Sequence, residues 1–138
     1  MGAGKMGIYL NRTSPYKKYS AVVSDEYFVD KTLLINELIP ALGSERRFIC
    51  ITRPRRSGKT VMASMAAAFF GRAQDSSVMF GRFNIASCSS YSRHLNQHDV
   101  IFIDFSRIPR NCRSYEQYIE RIQAGSAVIC QRHFHSAA

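Results

Sequence analysis

Four consecutive residues, Ser57-Gly58-Lys59-Thr60, have the types and the order that recognition of a polyphosphate needs. A glycine can take a backbone conformation that turns successive N–H groups toward one anion. The lysine after it can set an ammonium on β- and γ-phosphate oxygens, and the threonine hydroxyl can reach Mg²⁺. Lys59 is therefore the catalytic candidate, and Thr60 a candidate metal ligand. Arg53, Pro54, Arg55 and Arg56 stand just before them. Guanidinium forks match phosphate oxygens, so at least one of these arginines is expected to reach phosphate. The plainer alternative is a solvated basic loop.

Such a loop works only if rigid elements hold it. Phe48-Ile49-Cys50-Ile51 is a short continuous apolar run, bounded by turn and charge signals, and predicts a buried parallel strand. A helix is expected from about Lys59 to Phe70. Met62, Met65, Ala66 and Phe69 form its apolar stripe, and Gly71 stands where a C-terminal cap belongs. Strand, loop and GK[ST] opening a helix is the context of a P-loop, with a helix N-terminus adding unpaired N–H donors. The usual GxxxxGK[ST] pattern asks for glycine where this chain has Arg53. A chance Gly-Lys-Thr at a helix start is the competing reading.

Further along, Val100-Ile101-Phe102-Ile103 predicts a second buried strand with Asp104 at its end. Asp104 is either a magnesium-site residue or a strand-end aspartate that organises its loop. Asp30 can cap a short helix through Leu33, Leu34, Leu38 and Ile39, stopped by Pro40. Ser114 and Gln117 fit a capping box for a helix with Tyr115, Tyr118, Ile119 and Ile122 on its apolar face. Strands alternating with helices imply an α/β domain, a partial P-loop NTPase fold with a parallel sheet flanked by helices. The organisation expected is an irregular arm over residues 1–24, the domain over 25–123 and an atypical, disordered tail over 124–138.

With 138 residues, 46% of them apolar, the chain can bury one core and is not compositionally disordered. Nineteen Lys and Arg against ten Asp and Glu give a formal charge of +9, which suits a polyanionic partner. The four cysteines, Cys50, Cys88, Cys112 and Cys130, form no CxxC pair, so a zinc ribbon is not expected, and Cys50 reads as a small core residue. With no apolar stretch near membrane-spanning length and no signal-peptide core, a cytoplasmic setting is expected. Weaker candidates are a GxGK string at Met1 to Lys5, which lacks a strand before it and Ser or Thr after it, and the pair His94 and His98. That pair has metal-chelating spacing but no third ligand, so a surface role is preferred. Tyr16, Lys17, Lys18 and Tyr19 interleave base-stacking and phosphate-binding types, yet a solvated arm explains them as well.

On these residues the chain resembles the bacterial AAA-ATPase-like proteins, which often carry a C-terminal nuclease-like domain of the PD-(D/E)XK type. The resemblance spans roughly residues 7–123. It rests on Gly7-Ile8-Tyr9-Leu10, on Tyr27-Phe28-Val29-Asp30-Lys31-Thr32, on the run from Ile51 to Thr60, and on Leu95-Asn96 before Val100 to Ser106. The RPRR-x-GK[ST] loop is similar to that family's own variant, including the arginine in place of the first glycine. The resemblance implies ATP with Mg²⁺, held by Arg53 to Thr60, and a nucleic-acid or protein partner moved by hydrolysis. It also implies that the strand ending at Asp104 is the earlier one, and that an Asp-Glu-bearing strand comes later. Nothing after Gln123 supplies an Asp-Glu pair. The chain is thus expected to carry the N-terminal part only, with nucleotide binding weakened and hydrolysis in doubt. The alternative function is a basic nucleic-acid- or protein-binding module without enzymatic activity.

Overall fold

The structure, a computed structural model, describes residues 9–106 and 110–135, with side chains described up to Gly125. The GxGK string at Met1 to Lys5, Gly7, Ile8 and the side chains of Cys130, His133 and His135 lie outside the described residues. Two compact units divide the chain, Thr13–Val100 and the pair of segments Met1–Arg12 and Ile101–Ala138.

The larger unit is built on two helices, α1 (Ser14–Val23) and α3 (Lys59–Phe70), which pack along each other. Residues 14–23, expected to belong to an irregular arm, are therefore helical. Pro15 in the first turn is pre-set for a helix start. Tyr16, Tyr19 and Val23, spaced by three and four, put one apolar face on the core. Between these two comes the short α2 (Leu33–Leu38), followed by a 3₁₀ turn, Ile39–Ala41, at Pro40. Short helices α4 (Ser77–Phe80) and α5 (Tyr91–His94) close the unit, with a 3₁₀ turn Asn84–Ser87 between them.

The core is aromatic. Tyr19, Ile35, Met65, Phe69, Phe80 and Ile85 are almost wholly removed from solvent. Tyr19 stacks on Phe80 at 5.6 Å between centroids, and Phe69 meets Phe80 edge-on at 5.3 Å. Such pairs add about 0.5–1.5 kcal/mol each beyond their burial. On α3 the expected stripe holds for Met65 and Phe69; Ser64, Ala68 and Phe70 are also buried, while Met62 and Ala66 are half-covered.

Two polar clamps tie loops to this core. Asp30 was expected to cap α2, but Thr32 occupies the N-cap and the Asp30 carboxylate acts ahead of it. Asp30 Oδ1 accepts from the Thr32 N–H at 2.8 Å and the Thr32 hydroxyl at 2.6 Å, and Oδ2 accepts from the Asn84 N–H at 2.8 Å. Buried Thr32 in turn accepts the Ile85 N–H at 3.2 Å. The second clamp is Asn96, in a left-handed conformation at φ 55°. Its Nδ2 donates to the carbonyls of Gly71 at 2.6 Å and Gln74 at 2.9 Å, and its Oδ1 accepts the Ser76 N–H at 3.1 Å. Asn96 thereby ties the end of α3, at its C-cap Gly71, to residues 74–76.

The expected parallel sheet is absent: no strand and no sheet forms among the described residues. Residues 48–51 carry no ladder, and all four are exposed, Phe48 at 84%. Cys50, expected in the core, is exposed with them. Residues 100–103 likewise form no strand. Among the described residues, β-type pairing is limited to isolated bridges, antiparallel between Leu10 and Ile101 and parallel between Gly71 and His98. The physical reason is that a strand exists only by pairing. Apolar, β-branched content makes a segment fit for a sheet, but the ladder needs a neighbour at hydrogen-bonding distance.

In the smaller unit, the Phe102 N–H donates to the Tyr9 carbonyl at 3.0 Å beside the Leu10–Ile101 bridge. Helix α6 (Tyr115–His135) runs through residues 124–135, which were expected to be disordered. Its start matches the capping residues expected: the Ser114 hydroxyl accepts the Gln117 N–H at 3.3 Å. The Gln117 side chain reaches back to the Arg113 N–H at 2.9 Å, one residue earlier than a capping box places it. Tyr118 and Ile122 pack with Tyr9, while Tyr115 is 64% exposed.

Candidate phosphate-binding loop

Residues 52–58 connect residues 48–51 to α3. Two positions in this loop are left-handed, Arg56 at φ 61° and Gly58 at φ 84°. Such a conformation strains any L-residue and comes readily to glycine. Gly58 is the N-cap of α3, and its carbonyl accepts the first helical bond, from the Met62 N–H at 2.9 Å. The N–H groups of Lys59, Thr60 and Val61 therefore lie in the first turn, where a helix has no internal acceptor for them. Left-handed turns just ahead of a helix start concentrate N–H donors and the positive end of the helix dipole at one place.

The Lys59 side chain folds back over the loop. Its ammonium donates to the Arg53 carbonyl and, at 2.9 Å, to the Pro54 carbonyl. The ammonium is thus held against the backbone of its own loop. Arg53, Arg55, Arg56, Lys59 and Thr60 are exposed, and Ser57 and Gly58 are half-buried. No ion pair to a described residue is formed by Arg53, Arg55, Arg56 or Lys59. Four cations along one short loop repel one another until an anion arrives. The Ser57 hydroxyl oxygen is buried and makes no hydrogen bond. An orphaned buried hydroxyl, left-handed Gly58 and an exposed Thr60 all fit a bound triphosphate and its magnesium ion.

Beside the loop, Gly58 also forms part of the wall of a cleft of about 330 Å³, between α1, the 25–31 segment and the first two turns of α3.

Asp104 lies in the smaller unit. Its Oδ1 accepts the Ser106 N–H at 2.9 Å, and its carbonyl accepts the Tyr118 hydroxyl at 3.0 Å. That arrangement organises the turn after residue 103. His94 and His98 stack with centroids 5.3 Å apart and share a hydrogen bond of 3.0 Å between Nδ1 and Nε2. Burial, then the neighbouring His94 and Arg72, pull the His98 pKa below its ordinary value. No group of three metal-ligating side chains occurs among the described residues.

Sequence reasoning set Tyr19 in a solvated arm and quoted Asn96 only for the resemblance, and missed their places: Tyr19 reaches from α1 to the cleft wall, and Asn96 fixes the far end of α3. Pro15 with Tyr16, Tyr19 and Val23 was the available signal for the first. For the second there was only the Leu95-Asn96 pair of the resemblance, which gives Asn96 no structural role.

The family model described as Predicted AAA-ATPase matches residues 16–135, and the chain belongs to this AAA-ATPase-like family. Membership implies nucleotide use in general. No curated protein and no solved structure matches the chain. No helix among the described residues is long and apolar enough to cross a membrane.

Proposed function

We propose that this chain binds ATP with Mg²⁺ through residues 53–60. The observation that carries the proposal is Gly58 in a left-handed N-cap ahead of a twelve-residue helix, with the Lys59 ammonium folded onto the loop carbonyls. Backbone N–H groups of Gly58, Lys59 and Thr60 would hold phosphate oxygens. Lys59 would neutralise the β- and γ-phosphates, the arginines would supply further counter-charge, and Thr60 would offer its hydroxyl to Mg²⁺. Asp104 is a second candidate toward the metal, although Ser106 engages its Oδ1. Hydrolysis also asks for a group that orients the attacking water, so the reading adopted is confined to binding. A cytoplasmic setting, where ATP and Mg²⁺ are at hand, suits it.

Melting with and without Mg²⁺-ATP, beside Lys59→Ala, tests this. Ligand that binds only the folded state at 100 times its Kd stabilises by about 2.7 kcal/mol, a shift of many degrees for a small domain. The shift should appear in the unaltered chain and vanish in the variant; equal shifts in both refute the assignment. The arginine-rich loop also supports a second reading, a basic nucleic-acid-binding module. It predicts steeply salt-dependent binding to DNA or RNA that survives Lys59→Ala and ignores ATP.

A further inference from the structure

We propose that His94 and His98 form an acid-sensitive latch, and that uptake of protons by this pair releases residues 95–98 from the end of α3. The inference is independent of the phosphate-site reading. Residues 95–98 lie along the end of α3 and are held there by the backbone. The Asn96 N–H donates to the Phe69 carbonyl at 2.8 Å and the His98 N–H to the Phe70 carbonyl at 2.9 Å, while the His98 carbonyl accepts the Arg72 N–H at 3.1 Å. The His98 ring meets Phe70 edge-on at 5.4 Å, and Phe70 is itself buried. His94 is the last residue of α5, so the bond between the two rings joins that helix to the segment.

The chemistry of that bond makes it respond to pH. A neutral imidazole has one N–H and one bare nitrogen, so the 3.0 Å contact needs one ring to donate and the other to accept. One added proton can go to the far nitrogen of the donor ring and leave the bond in place. A second turns both facing nitrogens into N–H groups and sets two like charges together at half-buried residues. The charges around the pair give little relief. Arg72, just past the end of α3, disfavours a charge on His98; Asp99 favours one, but its Oδ1 is engaged by the Arg72 Nε at 3.1 Å. Arg93, beside His94 on α5, is exposed and also positive. Histidines in a released segment meet no such restriction and take protons near their ordinary value of about 6.5. Below that value the released form therefore binds more protons than the latched one. The latch is fully present above it and weakens as pH falls, by about tenfold in the opening equilibrium per pH unit for a difference of one proton.

Backbone amide exchange of the full chain, followed residue by residue by NMR at about pH 7.5 and about pH 5, tests this. Protection, corrected for the exchange rate of an unfolded peptide at the same pH, should fall about tenfold at Asn96, His98 and Arg72, and stay unchanged at Met65 and Phe69 inside α3. His94→Gln, whose amide can pair with His98 without carrying charge, should lose most of that fall. No fall in the unaltered chain, an equal fall in His94→Gln, or a uniform loss over α1 and α3 as well overturns the latch. The ring C–H resonances of the unaltered chain give a reading that needs no variant. The pair should take up its two protons in separate, coupled steps, the second well below the first. Two independent titrations at the ordinary value overturn the proposal.

Discussion

Gly58→Ala separates the conformation of the loop from its chemistry. Gly58 sits at φ 84°, and a Cβ built on it would meet nothing within 4 Å. The substitution therefore adds no clash, and its whole effect is backbone strain, about 1–2 kcal/mol for an L-residue held left-handed. The protein can respond in two ways. It can keep the conformation and lose that stability. It can instead let the loop relax, which turns the N–H groups away from a common anion. In the second case the anion must pull the loop back, and its affinity falls by the same strain, about 5- to 30-fold at 1.4 kcal/mol per tenfold. An exposed loop relaxes readily, so weaker ATP binding with nearly unchanged melting is expected. Gly43 supplies the control. It has φ 72° and equally open surroundings, but stands in the turn before residues 45–47. Gly43→Ala should carry the same intrinsic strain and leave ATP affinity untouched. Calorimetric titration and thermal melting of both variants decide the matter. Equal ATP affinity in Gly58→Ala and Gly43→Ala would refute the claim that left-handed Gly58 forms the anion site.

The two polar clamps give further tests. Asn96→Gly removes several hydrogen bonds from carbonyls at the end of α3 and should cost about 2–3 kcal/mol, read as a fall in Tm. Asn96→Ala should be worse by about 1 kcal/mol, because alanine resists φ 55°. At Asp30, burial raises the pKa but hydrogen bonds from Asn84 and Thr32 outweigh it, so the net value lies below the ordinary 3.8. A lowered folded pKa means stability present above 3.8 and lost as pH falls through the folded value. Asp30→Asn should therefore destabilise by about 1 kcal/mol near neutrality, after allowance for exposure, with the difference shrinking on acidification. A pH-independent difference in unfolding free energy would contradict this.

What could be read in advance was local, and what could not was a matter of pairing. Helix α3 spans the expected residues because every signal for it lies within its own sequence: glycine before it, strong helix formers inside, Gly71 after it. The same holds for the turn at Pro40 and the Ser114 cap. Residues 48–51 and 100–103 have equally clear apolar runs, yet a run says only that a segment suits a sheet, never that a neighbour is present to pair with it. Tyr19 was obscured for the opposite reason, since Lys17 and Lys18 beside it made an amphipathic helix look like a solvated arm. This contrast bears on function directly. The anion recognition proposed for residues 53–60 would use backbone geometry within about a dozen consecutive residues, so it asks for no sheet of its own. Turnover needs a carboxylate brought to the γ-phosphate from a distant part of a chain, and such positioning is what a paired sheet supplies. The proposed binding can therefore be tested at the loop by itself, apart from any turnover.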